Sequence, residues 1–139
     1  MLRIVLTLIS CLILPVPLGM GQTSGVTLGH PFLVGNDWKV LDNPHVGQQA
    51  AISTIVHNPT GQAWSMTVVL EARTANDVTV GLSARQISVN ADADFRIAIP
   101  WEPQEIGEHT LRTFAITSLE SPEVLTEVRI STVRVGSYR

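Results

Sequence analysis

Cysteine is almost absent from this chain of 139 residues. The single cysteine, Cys11, lies inside an apolar run near the amino terminus. The rest of the chain therefore offers no disulfide and no thiolate set for structural zinc or an iron–sulfur cluster. Residue types around Cys11 fit a bacterial lipobox, but the cysteine of a lipobox follows the apolar core, and here residues 12–14 continue it. We therefore expect no lipid anchor at Cys11.

Positive charge is scarce as well. Lys39 is the only lysine, and nine basic residues stand against twelve acidic ones, which gives a formal net charge of −3. Neither a basic patch nor an arginine-rich arm occurs. The sequence therefore argues against nucleic acid and against anionic membrane surfaces as partners.

Amphipathic helix periodicity is also missing, because no segment of ten or more residues repeats its apolar positions at helical spacing. Short apolar segments, separated by turn residues at intervals of about 8–12 residues, take its place. This pattern is typical of all-β domains. We predict an antiparallel β-sandwich of about seven strands.

The amino terminus carries the three parts of a secretory signal. Arg3 precedes an apolar run of about 11 residues, which is too short to span a bilayer. Two prolines end the run, and a Gly-Met-Gly exit follows at 19–21. We predict a signal peptide at 1–21, a β-sandwich domain at 22–139, and a secreted or extracytoplasmic location. A retained membrane anchor is the alternative.

Local patterns predict the character of individual strands. The stretch "VTLGHPFLV" is broken by glycine and proline, so it is an edge strand or a strand that crosses between the sheets. "WSMTVVLEAR" alternates apolar and polar residues, which predicts a half-solvated strand. Two short strands are predicted around Val78–Val80 and Gln86–Val89. Near the carboxyl terminus the apolar parity changes between Ile130 and Val133, which predicts a β-bulge.

One predicted strand, "HTLRTFAITSL", is apolar on both faces. Leu111 and Ala115 alternate with Phe114 and Ile116, whereas a sandwich strand needs only one apolar face. The second face then requires cover from a loop, from the broken first strand or from another molecule. We predict an interaction surface at Phe114 and Ile116, with Trp38 as a further exposed aromatic residue.

The tryptophans differ in their predicted surroundings. Trp64 and Trp101 share the parity of the core-facing residues in their strands, so both are predicted to be buried. Trp38 stands in a less regular segment and is the candidate for an exposed platform, for a protein or for carbohydrate.

The motif Trp101-x-Pro103-x-x-x-Gly107-x-His109 resembles the corner between strands E and F of immunoglobulin-like sandwiches. In such corners a tyrosine usually stands at the last of these positions, and its hydroxyl ties the corner to upstream backbone. His109 takes that place here, so the resemblance implies a structural role for its imidazole.

A wider resemblance supports this interpretation. The stretches "VGQQAAISTIVHNPTG" and "MTVVLEA", the corner motif and a closing valine-rich strand resemble the short immunoglobulin-like domains of bacterial and archaeal surface proteins, including the adhesion-related CARDB type. The resemblance covers roughly residues 46–135. It implies an immunoglobulin-like fold and leaves adhesion, spacing and assembly open as roles.

Residues that could carry chemistry are dispersed along the chain. The four histidines (30, 45, 57 and 109) form no close His-x-His or His-x₃-His pair, and the acidic residues cluster in turns. No Gly-x-Ser-x-Gly elbow or phosphate-binding glycine loop occurs. We predict no enzyme activity, no cofactor and no metal site, and leave weak calcium or copper binding open.

Together these observations predict a non-enzymatic, secreted or cell-surface structural or adhesion module. It would act through contact with a protein partner or through self-assembly, within a larger extracellular assembly. The alternative is a soluble extracytoplasmic binding protein or an accessory subunit of a membrane complex.

Overall fold

The computed structural model describes residues 24–138, so the predicted signal peptide lies outside the described residues and stays a prediction. Two antiparallel sheets of four strands each form a β-sandwich, and the predicted all-β fold is confirmed. No helix among residues 24–138 is long and apolar enough to cross a membrane. The strands are β1 (Thr27–Leu28), β2 (Phe32–Val34), β3 (Ala50–Asn58), β4 (Trp64–Thr74), β5 (Thr79–Val89), β6 (Ala93–Trp101), β7 (Gly107–Ile116) and β8 (Arg129–Val135).

The two sheets differ in their strand order. In the first sheet, β3 pairs with β1 and β2 along one side and with β6 along the other. The second sheet has the order β5-β4-β7-β8. Apolar residues of one parity on each strand meet between the sheets, as expected for period-two strands. The largest fully buried ones are Leu33, Ile52, Met66, Leu70, Ile97 and Leu111.

The first strand is broken where glycine and proline were expected to break it. Both halves, β1 and β2, pair with β3, at Leu28↔Val56 and at Phe32↔Ser53. Between them the amide of Gly29 donates to the carbonyl of Ile55. The edge interpretation is confirmed, and the strand does not cross between sheets. It therefore lies in the sheet opposite β7, so it does not cover the outer side of that strand.

Strand β4 is buried on both faces, and the prediction of a half-solvated strand was wrong. Its inner face packs in the core as expected, but Thr67, Val69 and Glu71 on its outer face are also buried. The reason is the position of β4 inside the second sheet. The side chains of β5 and β7, which flank it, shield the outer face from both sides.

Two further local predictions were wrong. The segments around Val78–Val80 and Gln86–Val89 belong mainly to one strand, β5, because backbone pairing with β4 continues through the exposed residues between them. The predicted bulge in the last strand is absent, since β8 pairs with β7 from Gly107↔Val135 to Thr113↔Arg129 without a shift. The register shift lies instead between β4 and β5, at 72–73. Strand β8 has apolar residues on both faces, with Ile130 exposed and Val135 buried.

Candidate functional site

The corner motif brings the two sheets into contact. Trp101 ends β6 in the first sheet, and His109 lies on β7 in the second, with only 2% of its surface exposed. Nδ1 of His109 lies 3.1 Å from the carbonyl oxygen of Gly107. Because a carbonyl oxygen only accepts, the hydrogen bond requires the proton on Nδ1. The imidazole thus bonds to backbone two residues upstream and faces the interior.

The other residues of the corner hold the turn between β6 and β7. Pro103 is buried, and its carbonyl accepts a hydrogen bond of 2.9 Å from the amide of Gly47. Gly107 has a φ of 124°, in the region that favours glycine.

Trp101 is part of the core, and Trp64 packs against the core with its indole N–H donating to Thr60.

The outer side of the second sheet carries three rows of side chains in register. Leu82, Glu71, Arg112 and Ile130 form one row across all four strands. The next row is Ala84, Val69 and Phe114, and the third is Gln86, Thr67, Ile116 and Val124. Leu82, Val124 and Ile130 are 65, 58 and 51% exposed, and Phe114 is partly buried. We call Leu82, Phe114, Val124 and Ile130 the outer apolar face.

The structure separates the residues of the predicted interaction surface. Phe114 lies in the middle of the outer apolar face. Ile116 is buried, because Thr67 lies opposite it on one side and Val124, in the segment after β7, on the other. Trp38 lies beyond β2 in the first sheet, so it does not share a surface with the other two.

An ion cluster lies within the outer apolar face. The carboxylate of Glu71 is nearly buried and bonds to Nε of Arg73 and, at 3.4 Å, to Nη1 of Arg112. Two guanidinium groups compensate the desolvation of this one carboxylate. The sequence pattern placed Glu71 and Arg73 on a solvated face and did not join them to Arg112, because that proximity depends on the pairing of β4 with β7.

A cleft of about 550 Å³ opens on the outer side of the first sheet. Trp38 lines it together with residues from three distant segments: Val34, Ala51, Pro100, Asn36, Gln49 and Glu102. Sequence reasoning identified Trp38 as exposed but missed the cleft. No local pattern joins these segments, which meet only through the register of β2, β3 and β6.

The remaining histidines occupy separate places. Nδ1 of His57 lies 2.8 Å from Oδ1 of Asp94, and both side chains are exposed. His30 bonds to the carbonyl of Ile130, and the ring of His45 packs against Tyr138. Across residues 24–138, no three His, Cys, Asp or Glu side chains are grouped so that they could hold a metal ion.

Comparison with known proteins gives matches in structure. No protein-family model and no curated protein matches the sequence. The CARDB domain of a Pyrococcus furiosus protein, solved in complex with di-metal ions, is similar with a TM-score of 0.56 and 17% identity, over 81% of this chain and 92% of that domain. The C-terminal domain of wzt is similar with a TM-score of 0.69 and 12% identity, over 86% of this chain and 77% of that one.

Similar sandwiches also occur as parts of larger enzymes. A β-glucosidase from Erythrobacter marinus is matched with a TM-score of 0.57 and 11% identity, over 80% of this chain but only 15% of the enzyme. At such identities the likeness shows the fold alone. The resemblance to CARDB-type and other immunoglobulin-like β-sandwich domains is thereby confirmed as a likeness of fold.

Proposed function

We propose that this protein is a non-enzymatic structural or adhesion module of the cell surface or extracytoplasmic space, which binds another protein of a larger assembly. One observation carries the proposal. The outer apolar face leaves Leu82, Val124 and Ile130 more than half exposed within the described chain. Large apolar patches on one side of a soluble domain are typical of protein–protein contact surfaces.

The extent of the outer apolar face fits the centre of an interface. Its residues span the width of the second sheet, about 14 Å for three strand spacings of about 4.8 Å, and Glu71 and Arg112 lie between Leu82 and Ile130. A standard-size interface takes about 800 Å² from each partner, with an apolar centre and a polar rim. Gln86, Thr110 and Thr132 surround the apolar residues and supply such a rim.

Charge indicates the chemistry of the partner. By their register, three arginines (73, 112 and 134) and two glutamates (71 and 108) belong to the outer side of this sheet, a balance of +1. The whole chain carries −3. We therefore propose a partner surface that is apolar and bears at least one carboxylate for the free donors of Arg112.

The proposed location depends on the sequence of residues 1–21, whose basic, apolar and small-residue parts favour export. The fold supports the same class of protein, because CARDB-like β-sandwich domains are typical of surface or accessory domains. The outer apolar face defines the partner by its chemistry.

Site-specific photo-cross-linking in the native host tests the contact. A photoreactive phenylalanine replaces Leu82 or Ile130 in the full chain, and the control replaces Ile106, an equally exposed residue in the loop before β7. We expect one adduct of the same mass from positions 82 and 130 and none from 106. Equal adducts from all three positions, or no adduct, would overturn the proposal. An adduct with twice the mass of the chain would show that the partner is a second copy of this protein and not a different protein.

Export is tested separately by fractionation and intact-mass measurement. We expect the protein outside the cytoplasm, with a mature chain that begins at Gln22. A cytoplasmic protein that retains Met1 contradicts the proposed location, whereas a membrane-bound species that retains residues 1–21 indicates an anchor.

A further inference from the structure

Trp38 lies at a backbone position that favours glycine. The amide of Trp38 donates to the carbonyl of Gly35, the amide of Gly35 donates to the carbonyl of Lys39, and Val34 pairs with Val40. These bonds define a hairpin with a three-residue loop, whose last residue adopts left-handed geometry and is usually glycine. Trp38 has a φ of 62° there, and 65% of its surface is exposed.

Two costs to the free protein therefore coincide at this residue. A bulky side chain in the left-handed region strains the backbone, and an exposed indole leaves a large apolar surface in water. Strained residues that face a cavity are frequent at ligand sites. Trp38 does face one, because it lines the cleft on the outer side of the first sheet.

The floor of this cleft is apolar. Val34, Ala51 and Pro100 lie side by side across β2, β3 and β6. The hairpin that carries Trp38 forms a wall next to β2. The volume of about 550 Å³ is within the range of about 300–1,000 Å³ that small-molecule sites occupy.

The polar groups of the cleft are amides and one carboxylate. Asn36 and Gln49 are exposed, and within the described part of the chain their side chains are joined only by a long contact of 3.4 Å, which leaves donors and acceptors of both for a ligand. Among residues 24–138, Glu102 is the one charged residue that lines the cleft. Such groups bond well to hydroxyl groups, which both donate and accept.

Arg96 supports the indole from outside the cleft lining. Its guanidinium carbon lies 5.9 Å from the ring of Trp38 and 5.4 Å from the ring of Phe32. Its Nε donates to Oγ of Ser53. This cation is thus engaged with two rings and a hydroxyl, and it limits the movement of the tryptophan.

We infer that this cleft binds a short stretch of neutral glycan. The face of Trp38 would stack on the apolar C–H face of a sugar ring, and Asn36, Gln49 and Glu102 would bond to its hydroxyl groups. The carboxylate disfavours anionic ligands. A peptide that extended the sheet here would find one donor missing, because Pro100 on the edge strand β6 has no amide proton to offer. This site lies on the opposite sheet from the outer apolar face, so it is independent of the proposed protein contact.

The test measures binding of the full mature chain to an array of neutral bacterial, plant and animal glycans. Positive glycans are then titrated in solution by tryptophan fluorescence. We expect saturable binding, and we expect Trp38→Gly to weaken it roughly tenfold or more, since the stacking surface is lost. Gln49→Ala should also weaken it. The control Tyr138→Ala removes another exposed aromatic side chain and should leave binding unchanged.

The stability of the variants separates loss of the site from loss of the fold. Glycine suits the left-handed position, so Trp38→Gly should keep or raise the melting temperature. Absence of binding across the neutral array overturns the inference. Binding that is unchanged in both Trp38→Gly and Gln49→Ala also overturns it. Binding of acidic glycans or peptides alone, without binding of neutral glycans, overturns it as well.

Discussion

The imidazole of His109 lies edge-on to the indole of Trp101, with ring centroids 5.6 Å apart and planes inclined at 63°. The two residues belong to different sheets, and only the short connection 102–106 separates their strands in the chain. The contact therefore stabilises the packing of the two sheets at the connection between β6 and β7. Such an edge-to-face pair stabilises by about 0.5–1.5 kcal/mol beyond burial alone.

His109→Ala should lower the free energy of unfolding by about 2–3 kcal/mol. The change removes the contact with Trp101 and the bond to Gly107, and it leaves a cavity between the sheets. Urea denaturation measures the loss. His57→Ala is the matched control, because this exposed histidine has one surface pair with Asp94, and we expect a change below about 1 kcal/mol. Equal losses in the two variants would contradict a structural role of His109.

Gly81→Ala should destabilise the protein although alanine suits a strand better than glycine. A Cβ atom at Gly81 would lie 2.9 Å from Cδ1 and 3.1 Å from Nε1 of Trp101. The indole is packed in the core and would have to shift, at a cost of about 1–3 kcal/mol. A Cβ atom at Gly61 would have no atom of residues 24–138 within 4 Å, so Gly61→Ala is the control and should be neutral or slightly stabilising. A melting temperature unchanged by Gly81→Ala would contradict this packing.

Alternation along the strands predicted the fold because period-two patterns report which side of a strand faces the core. It predicted the burial of Trp101 for the same reason. The pattern could not show how strands are ordered in a sheet. The buried outer face of β4 follows from its place between β5 and β7, and residues such as Thr67 and Glu71 show no local sign of that place.

The candidate sites were less predictable for a related reason. Trp38 stood out as an aromatic residue in an irregular segment, but Gln49 and Glu102 join it only through the pairing of β3 with β2 and β6. The double-sided apolar pattern of β7 identified the face that carries Phe114 and Ile116, and its role as an interaction surface stays a prediction. The exposed Leu82 and Ile130 beside it belong to other strands, so only the register places them in one row with Glu71 and Arg112.

Glu71→Gln should lower the free energy of unfolding by about 1–3 kcal/mol. The variant keeps the shape of the side chain but leaves Arg73 and Arg112, whose side chains are 33 and 25% exposed, without a carboxylate at the nearly buried position 71. Glu127→Gln is the control, because its carboxylate is 86% exposed and lies 4.0 Å from Arg129. A pair of that kind stabilises by less than about 1 kcal/mol. Denaturation should show a larger loss of stability for Glu71→Gln than for Glu127→Gln at low salt and at high salt, because burial limits the screening of the ion pairs at position 71. A loss at position 71 no larger than that at 127 would contradict the cluster.

Thr113→Val should raise the stability of the protein. Thr113 is fully buried on the inner face of β7, and its Oγ1 is the buried side-chain oxygen for which residues 24–138 provide no hydrogen-bond partner. An unpaired hydroxyl in the core costs about 1–3 kcal/mol, so a methyl group in its place should recover about 1 kcal/mol. Thr54 is the matched control, because it is equally buried but donates from Oγ1 to the carbonyl of Gly29 at 2.9 Å. Thr54→Val should therefore lose about 1 kcal/mol. The two substitutions are chemically identical, so opposite signs in urea denaturation would support the assignment, and equal losses would show that the hydroxyl of Thr113 is satisfied in solution.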